Sequence, residues 1–209
     1  MHFEALYGRE ARACYNGIDL DFYRATGIPR TDRFLFLARF STIKGPLLAI
    51  QACKEAGVGL DLVGDVSITN EPDYLEQCKL AADGKQIRFV GPASRSECVH
   101  WFSQALCLLH PNRDYREPFG LAPVEAMACG CPVIAWRYGA LRETIKHEET
   151  GILVSSLPEL VEAIRKIKTM GVNPESRVHF RTWASRFSIQ NMIDRYEQLC
   201  QEAVTTGGW

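Results

Sequence analysis

The chain has 209 residues, a formal net charge of −1, and 46% hydrophobic against 23% charged residues. A chain of that length buries a core without disulfide or metal staples and suits one large domain or two small ones. The near-zero balance gives no footprint for nucleic acid or an anionic membrane, and no apolar run approaches the ~20 residues of a spanning helix.

The opening "MHFEALYGREARACYNG" lacks the apolar centre of a signal peptide. Residues 1–32 do not follow the rhythm of the rest and read as a linker or the remnant of an upstream region. From there short apolar runs alternate with amphipathic ones. Strands are expected at 34–39, 60–64, 87–91, 106–111, 132–136 and 151–155. Helices are expected at 45–56, 72–83, 94–105, 120–130, 140–147 and 157–170, with two more at about 174–185 and 188–205. Pro72 opens one helix, Ser94 and Glu97 form a capping box on the next, and Gly130 stops the fourth. The final "TTGGW" reads as a flexible tail.

Fully apolar strands alternating with helices argue a parallel sheet covered on both faces. The expected fold is α/β: a doubly wound, Rossmann-like parallel sheet of about six strands over residues 33–205, with extra C-terminal helices. Ligands of such sheets bind at the carboxyl ends of the strands. The eight cysteines include no Cys-x-x-Cys pair, and the five histidines do not join them at zinc spacing. Buried, reduced thiols in a cytoplasmic protein are expected.

Four strand ends carry the informative residues. In "ARFSTIKGP", Arg39 and Lys44 stand beside a helix start and make an anion pocket, though a solvated loop with surface cations fits as well. In "LVGD", Gly64 allows a tight turn. In "RFVGP", Gly91 permits close backbone approach and Pro92 fixes the exit, a turn against which a flat base could lie. In "EPFGLAPVEAMACG", Glu117 precedes a helix whose first N–H groups, at Phe119, Gly120 and Leu121, lack intrahelical partners. Glu125 falls inside that helix among apolar neighbours. A carboxylate there needs donors, which sugar or ribose hydroxyls, a paired cation or a backbone amide would supply. "WRYGALRE" places Gly139 after a strand, with no chemistry of its own. Serine-elbow, P-loop and dinucleotide Gly-x-Gly-x-x-Gly patterns are absent.

Taken in order, "NGIDLDFY", "ARFSTIKGP", "DLVGD", "IRFVGP", "EPFGLAPVEAMACGCPVIA", "YGALRETI" and "TGILV" resemble the large family 4 (group 1) of the glycosyltransferases, over about residues 15–205. The similarity is to the C-terminal, donor-binding half of the glycosyltransferase B fold. It implies a retaining enzyme that transfers a sugar from an NDP-sugar, such as a UDP-sugar or GDP-mannose, to a glycan, lipid or small-molecule acceptor. It further implies that Arg39 and Lys44 bind the diphosphate and stabilise the leaving group, that Glu117 contacts the donor sugar, and that Arg39, Lys44 and Glu117 form the catalytic group. Gly64, Phe89, Val90, Phe119, Gly120, Leu121 and Glu125 complete the implied substrate-binding set, with Glu125 on the ribose. No cofactor and no metal is implied.

The family's N-terminal acceptor domain has no counterpart in this sequence. The resemblance therefore implies an excised donor domain or half an enzyme, inactive alone, cytoplasmic and peripheral at the membrane in its full-length form. "RYGA" stands where the family commonly has paired glycines. A non-catalytic nucleotide or sugar-phosphate module, and half of a sugar-nucleotide epimerase, are the alternative readings.

Overall fold

The computed structural model describes residues 12–66, 71–112 and 115–206. Six strands form one parallel sheet: β1 Phe34–Leu37, β2 Leu60–Val63, β3 Ile87–Gly91, β4 Cys107–His110, β5 Val133–Trp136 and β6 Gly151–Val154. Their order across the sheet is β3-β2-β1-β4-β5-β6, so the winding reverses between β1 and β4. Phe34 pairs with Leu60 on one side and Cys107 on the other.

Among the described residues, eight α-helices accompany the strands: α1 Pro46–Ala56, α2 Pro72–Ala81, α3 Arg95–Gln104, α4 Leu121–Ala128, α5 Leu141–Thr144, α6 Leu157–Met170, α7 Pro174–Ala184 and α8 Ile189–Thr206. β2, β4, β5 and β6 are buried along their whole length, as their unbroken apolar runs require. Alternate residues feed two cores. Leu35, Leu108 and Val133 face Phe102, Val124, Met127 and Phe180 of α3, α4 and α7. Phe34, Phe36, Leu109 and Ile134 face Ile50, Cys53, Leu160 and Ile164 of α1 and α6. Edge strand β3 alternates instead, exposing Arg88 and Val90.

Helix starts follow local chemistry. Ser94 accepts from the Glu97 N–H while Glu97 accepts from the Ser94 N–H, the expected capping box. Asn173 caps α7 through the Ser176 N–H at 2.8 Å. Most element ends shift from expectation by a residue or two, because terminal turns are set by tertiary contacts. The 140–147 helix shrinks further, to Leu141–Thr144, since Ile145 leaves helical geometry to plug the core.

Residues 12–32 of the segment expected as a linker or upstream remnant pack onto the domain. Ile18 and Tyr23 are buried, and Ile18 bridges to Ser188 beside the last helices. The Arg181 guanidinium donates to the Leu20, Tyr23 and Ala128 carbonyls, tying the segment to α4 and α7. Residues 1–11 and the last three of the expected tail lie outside the described residues. The buried-thiol expectation holds for Cys53, Cys78, Cys107, Cys129 and Cys131, whereas Cys200 is exposed and Cys14 and Cys98 are half-buried.

Candidate functional site

At the winding reversal, the loops after β1 and β4 spread apart above the sheet. Arg39 follows β1, and a single 3-10 turn, Thr42–Lys44, carries Lys44 to the mouth of the gap. His110 ends β4, and Glu117 follows on the next loop. A cleft of about 400 Å³ opens there, bordered by Arg39, Lys44, His110, Glu117, Phe119–Ala122 and Glu125. Open doubly wound sheets take their ligands at this position.

Glu117 is the centre of a tight cluster. Its Oε2 accepts from Lys44 Nζ at 2.6 Å, Asn112 Nδ2 at 2.9 Å and His110 Nε2 at 3.4 Å. Burial pushes the Glu117 carboxyl up, but the His110 and Lys44 contacts outweigh it and bring it down to about 2. An ionised carboxylate only accepts, so the His110 proton sits on Nε2. Burial lowers the His110 pKa and keeps the ring neutral, against the opposing pull of Glu117. The Lys44 ammonium also lies 5.3 Å from the Tyr115 ring centroid. Arg39 is exposed at the rim and makes no hydrogen bond among the described residues.

The loop carrying Glu117 is fixed from behind. The Ala140 N–H donates to the Glu117 carbonyl at 2.9 Å. Gly139 has φ +61°, and a Cβ on it would meet the Glu117 carbonyl oxygen at 2.6 Å and amide nitrogen at 2.8 Å. The "RYGA" turn, which looked inert, is the buttress of the acidic residue.

Gly120, left-handed at φ 89°, starts α4. The N–H groups of Phe119, Gly120, Leu121 and Ala122 have no partner among the described residues. They stand at the cleft end of the helix, where its dipole favours negative charge. The Phe119 ring is buried between Tyr15 and Phe187, at 6.3 and 5.5 Å between centroids.

One turn into α4, Glu125 borders the same cleft, and burial raises its pKa. The Tyr23 hydroxyl and the Arg95 charge oppose that shift. Arg95 Nε also donates to the Tyr23 hydroxyl at 3.4 Å. A hydroxyl and a cation thus lie near this half-buried carboxylate.

The remaining expected residues separate. Gly64 belongs to a neighbouring hollow of about 210 Å³, which it borders with Arg39, Asp65, Pro92, Ala93 and Cys98. A Cβ at Gly64, φ +148°, would meet the Ala38 carbonyl oxygen at 1.9 Å, so only glycine lets β2 end against β1 there. The Phe89 ring packs into the α1 side of the core, 5.2 Å from Phe40, and borders neither hollow. Val90 is 43% exposed on the edge strand and also borders neither.

A family model described as glycosyl transferases group 1 matches residues 23–186. The chain belongs to the group 1 glycosyltransferases. It is 32% identical over 176 residues to D-inositol 3-phosphate glycosyltransferase 1 of Catenulispora acidiphila, covering 72% of this chain and 41% of that protein. The corresponding enzyme of Mycobacterium tuberculosis (strain F11) is 31% identical over 199 residues, 85% of this chain and 41% of its own. The chain therefore spans under half the length of these curated relatives.

Among solved structures, Anabaena HepE in complex with UDP superposes with a TM-score of 0.80 at 23% identity, over 91% of this chain and 57% of that one. The C-terminal domain of a group 1 protein from Francisella tularensis superposes with a TM-score of 0.63 at 22% identity, over 83% of this chain and all of that domain. This group 1 domain thus has the fold of the C-terminal half of the glycosyltransferase B architecture.

The expected set omits four residues that act on Glu117 or Glu125: His110, Asn112, Tyr23 and Arg95. A histidine closing an apolar strand at the reversal point was a usable signal for the first. Asn112 reaches Glu117 from five residues away on the same loop, whereas Tyr23 and Arg95 meet the site only through tertiary folding. No helix among the described residues is long and apolar enough to cross a membrane. No group of three or more potential metal ligands occurs among them.

Proposed function

We propose that this domain binds the nucleotide-sugar donor of a retaining glycosyltransferase, and that it transfers sugar to an acceptor only together with an acceptor-binding domain. The carrying observation is that two cations, two carboxylates and the free N–H end of α4 converge on one cleft at the winding reversal. That combination complements a sugar, a diphosphate and a ribose in sequence. Arg39, Lys44 and the α4 amides take the diphosphate and stabilise the charge that grows on the leaving group. Glu125 accepts from the ribose hydroxyls. Glu117 accepts from the transferred sugar. The base enters the hollow beside Gly64, Pro92 and Ala93.

In this reading Glu117 is not a nucleophile. A carboxylate whose pKa lies near 2 and whose Oε2 holds three donors is a weak one. Retention then relies on positioning the acceptor against the departing diphosphate. Lys44 and Arg39 supply the charge that a metal ion supplies in other transferases, so no metal is required. The UDP complex of the HepE relative makes uridine nucleotides the first probe.

The test is calorimetry of the chain with UDP, GDP, ADP and their glucose or mannose derivatives, repeated on Glu125→Ala. Micromolar binding of one nucleotide series, weakened at least about tenfold by the substitution, is expected from the loss of a charged acceptor. No binding of any nucleotide would remove the basis of the reading.

A further inference from the structure

His110 has no role in the donor-binding reading above, yet it is the buried residue that ends β4 and borders the cleft. Its Nε2 carries the proton shared with Glu117, which leaves Nδ1 as a bare acceptor. Nδ1 has no hydrogen-bond partner among the described residues, and neither has Glu117 Oε1. Both residues border the cleft. Among the described residues, the buried side-chain atoms without partners are Arg30 Nε, Ser41 Oγ and Asn112 Oδ1. The Lys44, Asn112 and His110 donors all converge on Oε2, so the carboxylate is pinned by one oxygen and offers the other.

Two acceptors on residues that border the same cleft, one of them anionic, repel a phosphate. They complement a group that carries adjacent donors. A neutral imidazole oriented by a carboxylate is the same arrangement that fixes the tautomer of an active-site histidine. Leucine would fill the end of an apolar strand at no polar cost, so the histidine here needs a partner in the cleft.

We propose that His110 is a sugar-contacting residue. Its Nδ1 and Glu117 Oε1 receive two neighbouring hydroxyls of the transferred sugar, and the site selects donors with that vicinal pair free. This rests on the donor-binding reading and adds to it a residue and a substrate class. Asn112 acts differently, as a positioning residue that holds Oε2 from behind.

The test is calorimetry of the whole chain, wild type and His110→Phe, with UDP, UDP-glucose, UDP-galactose, GDP and GDP-mannose. In the wild type, at least one sugar strengthens binding over its bare diphosphate. In His110→Phe, affinity for the bare diphosphate stays within about twofold, while that strengthening falls by about fivefold or more, the loss of one buried hydrogen bond. Equal losses for diphosphate and sugar nucleotide, or no loss for either, would overturn the proposal. A wild-type chain that binds the diphosphate but gains nothing from any sugar would also overturn it, leaving the donor-binding reading intact. A chain that binds no diphosphate overturns that reading first.

If His110→Phe does not fold, nitrogen NMR of the wild-type imidazole decides. The Nδ1 resonance moves on adding the sugar nucleotide and not on adding the diphosphate. An unmoved Nδ1 resonance counts against the proposal.

Discussion

Lys44 Nζ and Glu117 Oε2 lie 2.6 Å apart and join the loops that follow β1 and β4 across the winding reversal. Both side chains are only 12% exposed, so the pair is desolvated enough to be strong and open enough to meet a ligand. An ammonium has three N–H donors, and Glu117 engages one. The others are available to a diphosphate, so one cation can couple the sugar end of the site to the phosphate end.

That coupling separates the two cations experimentally. Lys44→Met should weaken UDP binding by about 1.5–3 kcal/mol, or roughly 10- to 150-fold, and should also lower the melting temperature because Glu117 loses its counter-charge. Arg39→Ala should weaken UDP binding by about tenfold or more and leave the melting temperature unchanged, since Arg39 is exposed and makes no hydrogen bond among the described residues. Calorimetry and thermal melts on the two variants check this. Equal thermal effects would mean that the pair is not structural.

The acid limb of stability carries the signature of the cluster. The folded Glu117 pKa, about 2, lies below its ordinary 4.5, so its contribution is present above 4.5 and is lost as pH falls from there toward 2. The folded His110 pKa also lies below its ordinary 6.5. The unfolded chain therefore takes up that proton first, and stability falls as pH drops below 6.5. Denaturant titrations at a series of pH values should show both limbs in the wild type. Glu117→Gln should lose the lower one. An unchanged slope in that variant would rule out the strong pairing.

Much of this arrangement could be read from residue order. The apolar runs located all six strands, because a strand buried on both faces has no alternation to obscure it. Arg39, Lys44, Glu117 and Glu125 meet at one cleft, as expected of residues at the carboxyl ends of strands. Phe89 was misleading: side chains alternate along β3, and its position turns the ring to Phe40 rather than to a ligand surface. Tyr23 and Arg95 were illegible because no local period links residue 23 to residue 125. The contact exists only once the leading segment docks on α4 and α7.

Gly139 tests whether the buttress behind Glu117 matters. Gly57 has a similar φ, +69° against +61°, but a Cβ on it would meet nothing within 4 Å. Gly57→Ala should therefore cost only the left-handed strain, about 1–2 kcal/mol. Gly139→Ala adds a clash with the Glu117 backbone and should cost more, about 2–4 kcal/mol. It should also reduce sugar-nucleotide affinity, which Gly57→Ala should not. Melting and calorimetry of both variants make the comparison. Equal behaviour would show that the Glu117 loop has room to give.

Glu125 sets a pH dependence of binding with its own sign. Burial raises its folded pKa above the ordinary 4.5, so in the free domain its ionisation lowers stability as pH rises above that value. Tyr23, held protonated with its pKa pushed up to about 12 by burial, keeps its hydroxyl near the carboxylate. Two ribose hydroxyls would supply donors, and they favour the ionised form. Affinity for UDP-glucose, whose diphosphate diester keeps its charge in this range, should therefore rise with pH through the elevated Glu125 pKa and then level off. Glu125→Gln should bind about tenfold more weakly at the plateau and lose the slope, because the amide offers a weaker acceptor and no proton to release. Tyr23→Phe should keep the slope and shift it to higher pH, since the hydroxyl that lowers the Glu125 pKa is removed. A wild-type affinity that stays flat from acid to neutral pH would show that the ribose does not rest on Glu125.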